Sequence, residues 1–170
     1  MADRRASIWA FLRRMYVNSG GLYEPTPTAV ATRIITNAEM KTLRARPIEV
    51  IPSIPNRIVL PVQSVYSSVG NVVARNGNNA VALYIQMSGG VFLKVSPDIP
   101  NNVLLGGAAR LHRAGLQTST LDNASVRSLV NKPTVLRNSG AGEFGAGGAG
   151  NNLQIVVSYT VLPYEKLAIV

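Results

Sequence analysis

The run from Leu153 to Val161 constrains the fold more than any other stretch. Leu153, Ile155, Val157, Tyr159 and Val161 alternate with Gln154, Val156, Ser158 and Thr160, and this period of two lays an apolar row along one face of an extended strand. A strand so patterned must bury that row against a second layer. The same period recurs where Val81, Leu83, Ile85 and Met87 share a face and Ala82, Tyr84 and Gln86 take the other. Ser88-Gly89-Gly90 separates this run from Val91-Phe92-Leu93-Lys94-Val95, the pattern of a hairpin. Weaker strand signals cover 48–51, 57–66 and 134–137, with Pro52, Pro55 and Pro61 marking edges or bulges.

Helical signals are short. In Thr36-Asn37-Ala38-Glu39 the threonine hydroxyl can accept from the third helical amide while Glu39 reaches back, a capping box that opens a helix over about 36–43. Pro47 prevents a long continuation. Residues 97–131 mix Pro, Asn and Gly with helix-compatible pieces such as 108–113, and read as a long connection over one end of the sheet. Residues 139–150, with six glycines in twelve positions, read as a flexible tip between two strands. The tract lacks the G-K-[ST] ending of a phosphate loop and precedes a strand, not a helix. The fold class that follows is all-β, a single β-sandwich, with a jelly roll among the arrangements it allows.

The chain has 170 residues, 46% hydrophobic, enough for one domain with a real core. Of these, 1–30 read as an extended basic N-terminal arm and 31–170 as the sandwich. The first 46 residues hold 8 basic and 3 acidic side chains, so the net charge of +9 is concentrated there. Asn18-Ser19-Gly20-Gly21 and Glu24-Pro25-Thr26-Pro27 interrupt any helix and make a linker. Before it, Ile8, Phe11, Leu12 and Met15 fall at helical spacing beside Arg13 and Arg14. Arg4, Arg5, Ile8, Trp9, Phe11, Leu12, Arg13, Arg14 and Tyr16 are the candidate partner-binding residues. Three roles fit such a set: docking on a neighbouring subunit, with Trp9 and Phe11 filling apolar pockets and arginines pairing with carboxylates; contact with nucleic acid; or lying on a membrane surface. Subunit docking is favoured, and the apolar stripe is too short for firm membrane attachment.

Nothing in the sequence assembles an active site. The eight carboxylates form no paired motif, and no G-x-S-x-G or S-x-x-K element supplies an activated hydroxyl. With no cysteine, thiolate chemistry, thiolate metal sites and disulfides are excluded. The single histidine, His112, lies between arginines and reads as a surface or interface residue and not as a base or metal ligand. The expectation is a non-enzymatic protein without cofactor, metal or small-molecule substrate. No run of about 18 apolar residues is present to span a bilayer as a helix.

From residue 34 onward the order of pieces resembles a family of small tailed-bacteriophage virion proteins encoded among head and tail structural genes. The resemblance rests on Ile35-Thr36-Asn37-Ala38-Glu39-Met40, Arg46-Pro47-Ile48-Glu49-Val50-Ile51-Pro52, Arg57-Ile58-Val59-Leu60-Pro61-Val62, Val130-Asn131-Lys132-Pro133 and Leu153-Gln154-Ile155-Val156-Val157-Ser158-Tyr159. It covers about three quarters of the chain and excludes the first 30 residues; Tyr66-Ser67-Ser68-Val69-Gly70 matches the family's tyrosine- and glycine-rich stretch only loosely. It implies a building block of the virion that binds the major capsid protein or other virion structural proteins and forms a homo-oligomer. The leading expectation is a capsid decoration or cement protein. A neck, tail or baseplate subunit is the alternative within the virion, and a nucleic-acid-binding module using the basic arm is the alternative of another class.

Overall fold

The computed structural model describes residues 29–69, 75–76, 80–104, 110–115, 128–148 and 150–163. In chain order the elements are β1 (Ala29–Ile35), α1 (Asn37–Met40), β2 (Ile48–Ile51), β3 (Arg57–Val69), β4 (Arg75–Asn76), β5 (Val81–Gln86), β6 (Phe92–Lys94), α2 (Asn101–Leu104), β7 (Arg110–Gly115), β8 (Thr134–Asn138), β9 (Gly145–Ala146) and β10 (Asn152–Pro163).

Eight of the ten strands form two four-stranded sheets, ordered β1-β10-β3-β7 and β2-β8-β5-β6, while β4 and β9 make a small separate ribbon. Every pairing is antiparallel. The chain crosses repeatedly from one sheet to the other, and its first described strand pairs with its last. This interleaving is the jelly-roll form of the β-sandwich, and the all-β expectation holds.

The apolar rows read from the sequence line the space between the sheets. Leu153, Ile155 and Val157 of β10 meet Val81, Leu83 and Ile85 of β5 in one continuous core that also takes Ile35, Met40, Tyr66 and Leu136. Tyr66 places a hydroxyl inside this core and satisfies it there. Ser64 Oγ donates to the Tyr66 hydroxyl at 3.0 Å. The tyrosine also bonds the Ser96 side chain, whose Oγ accepts from the Leu83 amide at 2.9 Å. The chain of bonds ties β3 to β5 through the interior, and burial holds the Tyr66 phenol above its ordinary pKa.

The capping box forms as read: Glu39 N donates to Thr36 Oγ1 at 3.2 Å, and Thr36 N donates to the Glu39 carboxylate at 2.8 Å. The hairpin also forms. Its Gly89 and Gly90 sit at φ 71° and 76°, where a Cβ would be strained. Pro61 lies in β3, an interior strand, beside a bulge: pairing steps from Ser158–Gln63 to Tyr159–Pro61 and leaves Val62 as the extra residue.

Three sequence readings are corrected. The described part of the piece read as helix-compatible over 108–113, residues 110–113, belongs to strand β7, because pairing with β3 outweighs local propensity. Residues 29–35 gave no strand signal and form β1, paired along its length with β10. The glycine-rich stretch is not a free tip. Phe144 is buried in the core, and the Glu143 carboxylate accepts from the amides of Arg44 and Ala45 at 2.9 and 2.8 Å. The Arg44 guanidinium donates to the Ala141 carbonyl, and Asn37 Nδ2 donates to the Gly147 carbonyl at 2.9 Å.

Candidate interaction surface

The nine arm residues singled out from the sequence, Arg4 to Tyr16, lie outside the described residues. His112 falls on β7 opposite Tyr66 of β3. Within the described residues, the arrangement that can act on a partner is the outer face of the β1-β10-β3-β7 sheet.

Register fixes its composition. Because Leu153, Ile155, Val157, Ser64 and Tyr66 point into the core, the alternate positions of the same strands point away from it. Three rows result: Val30, Ser158 and Gln63; then Thr32, Val156, Val65 and Arg113; then Ile34, Gln154, Ser67 and Leu111. Arg113 is the one ionisable side chain in these rows, and its guanidinium donates to Gln63 Oε1 at 2.8 Å. The sheet's edges carry its most exposed apolar groups: Val30 is 61% exposed, Ile34 58% and Leu111 75%. Val62, pushed out by the bulge, is 47% exposed. On a chain of net charge +9, these rows present one charged side chain, Arg113 on the edge strand β7, and open apolar groups at both margins.

The outer face of the other sheet is arranged differently. Ala82, Tyr84 and Val135 are buried there with Phe92 packed beside them. The Arg137 guanidinium lies 4.4 Å from the Phe92 ring centre and 5.8 Å from that of Tyr84, a stacking that covers the apolar patch while keeping the charge in water. Tyr84 meets Phe92 edge to face at 6.3 Å, and its hydroxyl donates to Ser139 Oγ at 2.9 Å. Lys94 pairs with Asp98 at 2.9 Å. That face is covered by its own side chains, and the first is not.

The described residues hold no group of three or more histidine, cysteine or carboxylate side chains placed to bind one metal ion. A shallow depression beside the β5–β6 hairpin is lined by Met87, Ser88, Val91, Ser128, Val130 and Lys132. It contains no carboxylate or imidazole. No helix among the described residues is long and apolar enough to cross a membrane.

The sequence carries one signal for this open face. Val30, Ile34 and Leu111 are apolar residues beside or outside the recognised strands, and only the pairing of β1 with β10 and of β7 with β3 brings them onto one surface.

No protein-family model and no curated protein matches the chain. Among solved structures it is similar to the capsid of Ralstonia phage GP4, at 16% identity and a TM-score of 0.40, over 81% of this chain and 86% of that one. At that TM-score the likeness carries no statement about what this chain does.

Proposed function

We propose that this chain is a non-enzymatic structural protein of a bacteriophage virion, a decoration or cement protein that seats the outer face of its β1-β10-β3-β7 sheet on the major capsid lattice. The observation that carries the reading is the asymmetry between the two outer faces. One is closed by Arg137 over Phe92 and Tyr84. The other leaves Val30, Ile34 and Leu111 open on its two edge strands, with Arg113 beside Leu111 on β7 as the one charge in its rows, the composition of a protein-docking surface with a charge-depleted middle. The sequence resemblance to tailed-phage virion proteins supports the reading. So does the jelly roll, a scaffold used by viral capsid and lectin domains and by cupins.

In this reading the basic arm, with Trp9 and Phe11 as apolar anchors, extends across a neighbouring subunit, and attachment stabilises the lattice by binding only its assembled state. The test is the copy number of this chain relative to the major capsid protein in purified particles. Hundreds of copies are expected. A dozen or fewer would move the protein to the neck, tail or baseplate, and absence from particles would overturn the virion reading.

A further inference from the structure

The depression beside the β5–β6 hairpin has an apolar wall and an unneutralised cation. Val91 is 61% exposed, and Met87 and Val130 line the same hollow. Lys132 Nζ donates to Ser88 Oγ at 2.6 Å and has no carboxylate within ion-pair distance among the described residues. Such a site suits a segment carrying one carboxylate followed by apolar side chains.

β10 ends at Pro163, opposite Arg57 at the start of β3, and the Arg57 carbonyl accepts from the Asn131 amide at 3.0 Å. Two steps at the usual spacing of adjacent strands put Pro163 about 10 Å from Asn131, next in sequence to Lys132. The hairpin closes the far side, with Gln86 N donating to the Pro133 carbonyl at 3.1 Å and Met87 N to the Val91 carbonyl at 2.8 Å. Residues 164–170 read Tyr-Glu-Lys-Leu-Ala-Ile-Val and lie outside the described residues. In an extended segment Glu165, Leu167 and Ile169 fall on one face. Seven residues reach about 25 Å at most, more than the distance from Pro163 to Asn131.

We propose that residues 164–170 dock in this depression of their own chain, with Glu165 paired to Lys132 and Leu167 and Ile169 packed on Met87, Val91 and Val130. The proposal is independent of the capsid reading, because it concerns how the domain closes one of its ends.

Zero-length carbodiimide crosslinking of the full chain, read by mass spectrometry, tests it. The Lys94–Asp98 pair at 2.9 Å serves as an internal standard for the reaction. A Lys132–Glu165 crosslink at a yield within about threefold of that standard is expected. It should fall at least tenfold in the Leu167→Asp/Ile169→Asp variant while the Lys94–Asp98 crosslink is unchanged, which shows that the domain remains folded. Three results would overturn the proposal: the standard without the Lys132–Glu165 product, a product unaffected by the double substitution, or a product that forms only between isotopically light and heavy copies.

Discussion

Truncating Ile34 and Leu111 to alanine asks whether the open sheet face docks on particles. Each substitution removes about three carbons, and burying a CH2 contributes about 0.8 kcal/mol. Ile34 is 58% exposed and Leu111 75%, so a partner covering them completely would gain about 1.4 and about 1.8 kcal/mol from those carbons. The two sit on opposite edge strands, three strand spacings or about 14 Å apart, so their effects should add. The double variant is therefore expected to bind particles lacking this chain roughly 200-fold more weakly, since about 1.4 kcal/mol is tenfold. Its own stability should change by less than about 0.5 kcal/mol, because neither side chain supports the core. The assay is a binding titration by co-sedimentation, with a melting curve of the free protein alongside. Unchanged affinity would refute docking through this face. Weaker binding accompanied by an equal loss of stability would show that the two residues support the fold and not the contact.

Three further outcomes follow from the interior and the termini of the elements. Phe144→Ala should cost about 3 to 5 kcal/mol in denaturant unfolding, whereas a free glycine-rich tip would give no measurable change. Glu39 is held below its ordinary carboxylate range by the Thr36 amide first and by Thr36 Oγ1 and Arg33 after it. Its contribution is present above the unfolded value of 4.5 and should be lost as pH falls through the lower folded value; Glu39→Gln should flatten that part of a stability–pH profile and cost under about 1 kcal/mol at neutral pH. Tyr66, whose pKa burial raises, contributes stability that is complete below the unfolded value of 10.0 and declines as pH rises toward the folded one. Tyr66→Phe should remove this alkaline loss from a melting-temperature series between pH 9 and 11, and cost about 0.5 to 2 kcal/mol at pH 7 because the buried Ser64 hydroxyl loses its acceptor.

The strands that were legible in the sequence are those with a clean inside and outside. In β10 every second residue from Leu153 to Val157 is buried, and in β5 Val81, Leu83 and Ile85 face the core. β1 and β7 lacked that signal for one reason. Each is an edge strand whose exposed side carries apolar groups, Val30 and Ile34 in one and Leu111 in the other, so the contrast between faces that marks a half-buried strand is blurred. The property that hides these strands from a periodicity argument is the same one on which the proposed docking surface rests. The glycine-rich stretch misled differently: its composition permits flexibility, but Glu143 and Phe144 are fixed by partners about 100 residues earlier and by the core, which no local window contains. The arm residues Arg4 to Tyr16 remain the second half of the binding proposal.

The pairing of β1 with β10 also sets a clock. The proposed docking face has β10 as an interior strand, held between β1 and β3, and Ala29 meets Tyr159 across nearly the whole described chain. Contacts between such distant positions form late and slowly. A nascent chain on the ribosome can make the β5–β6 hairpin early, but the proposed docking face is incomplete until β10 has emerged and inserted. If this face docks as proposed, a product truncated before β10 is unable to use it, and the topology itself acts as a quality check on which copies reach the partner.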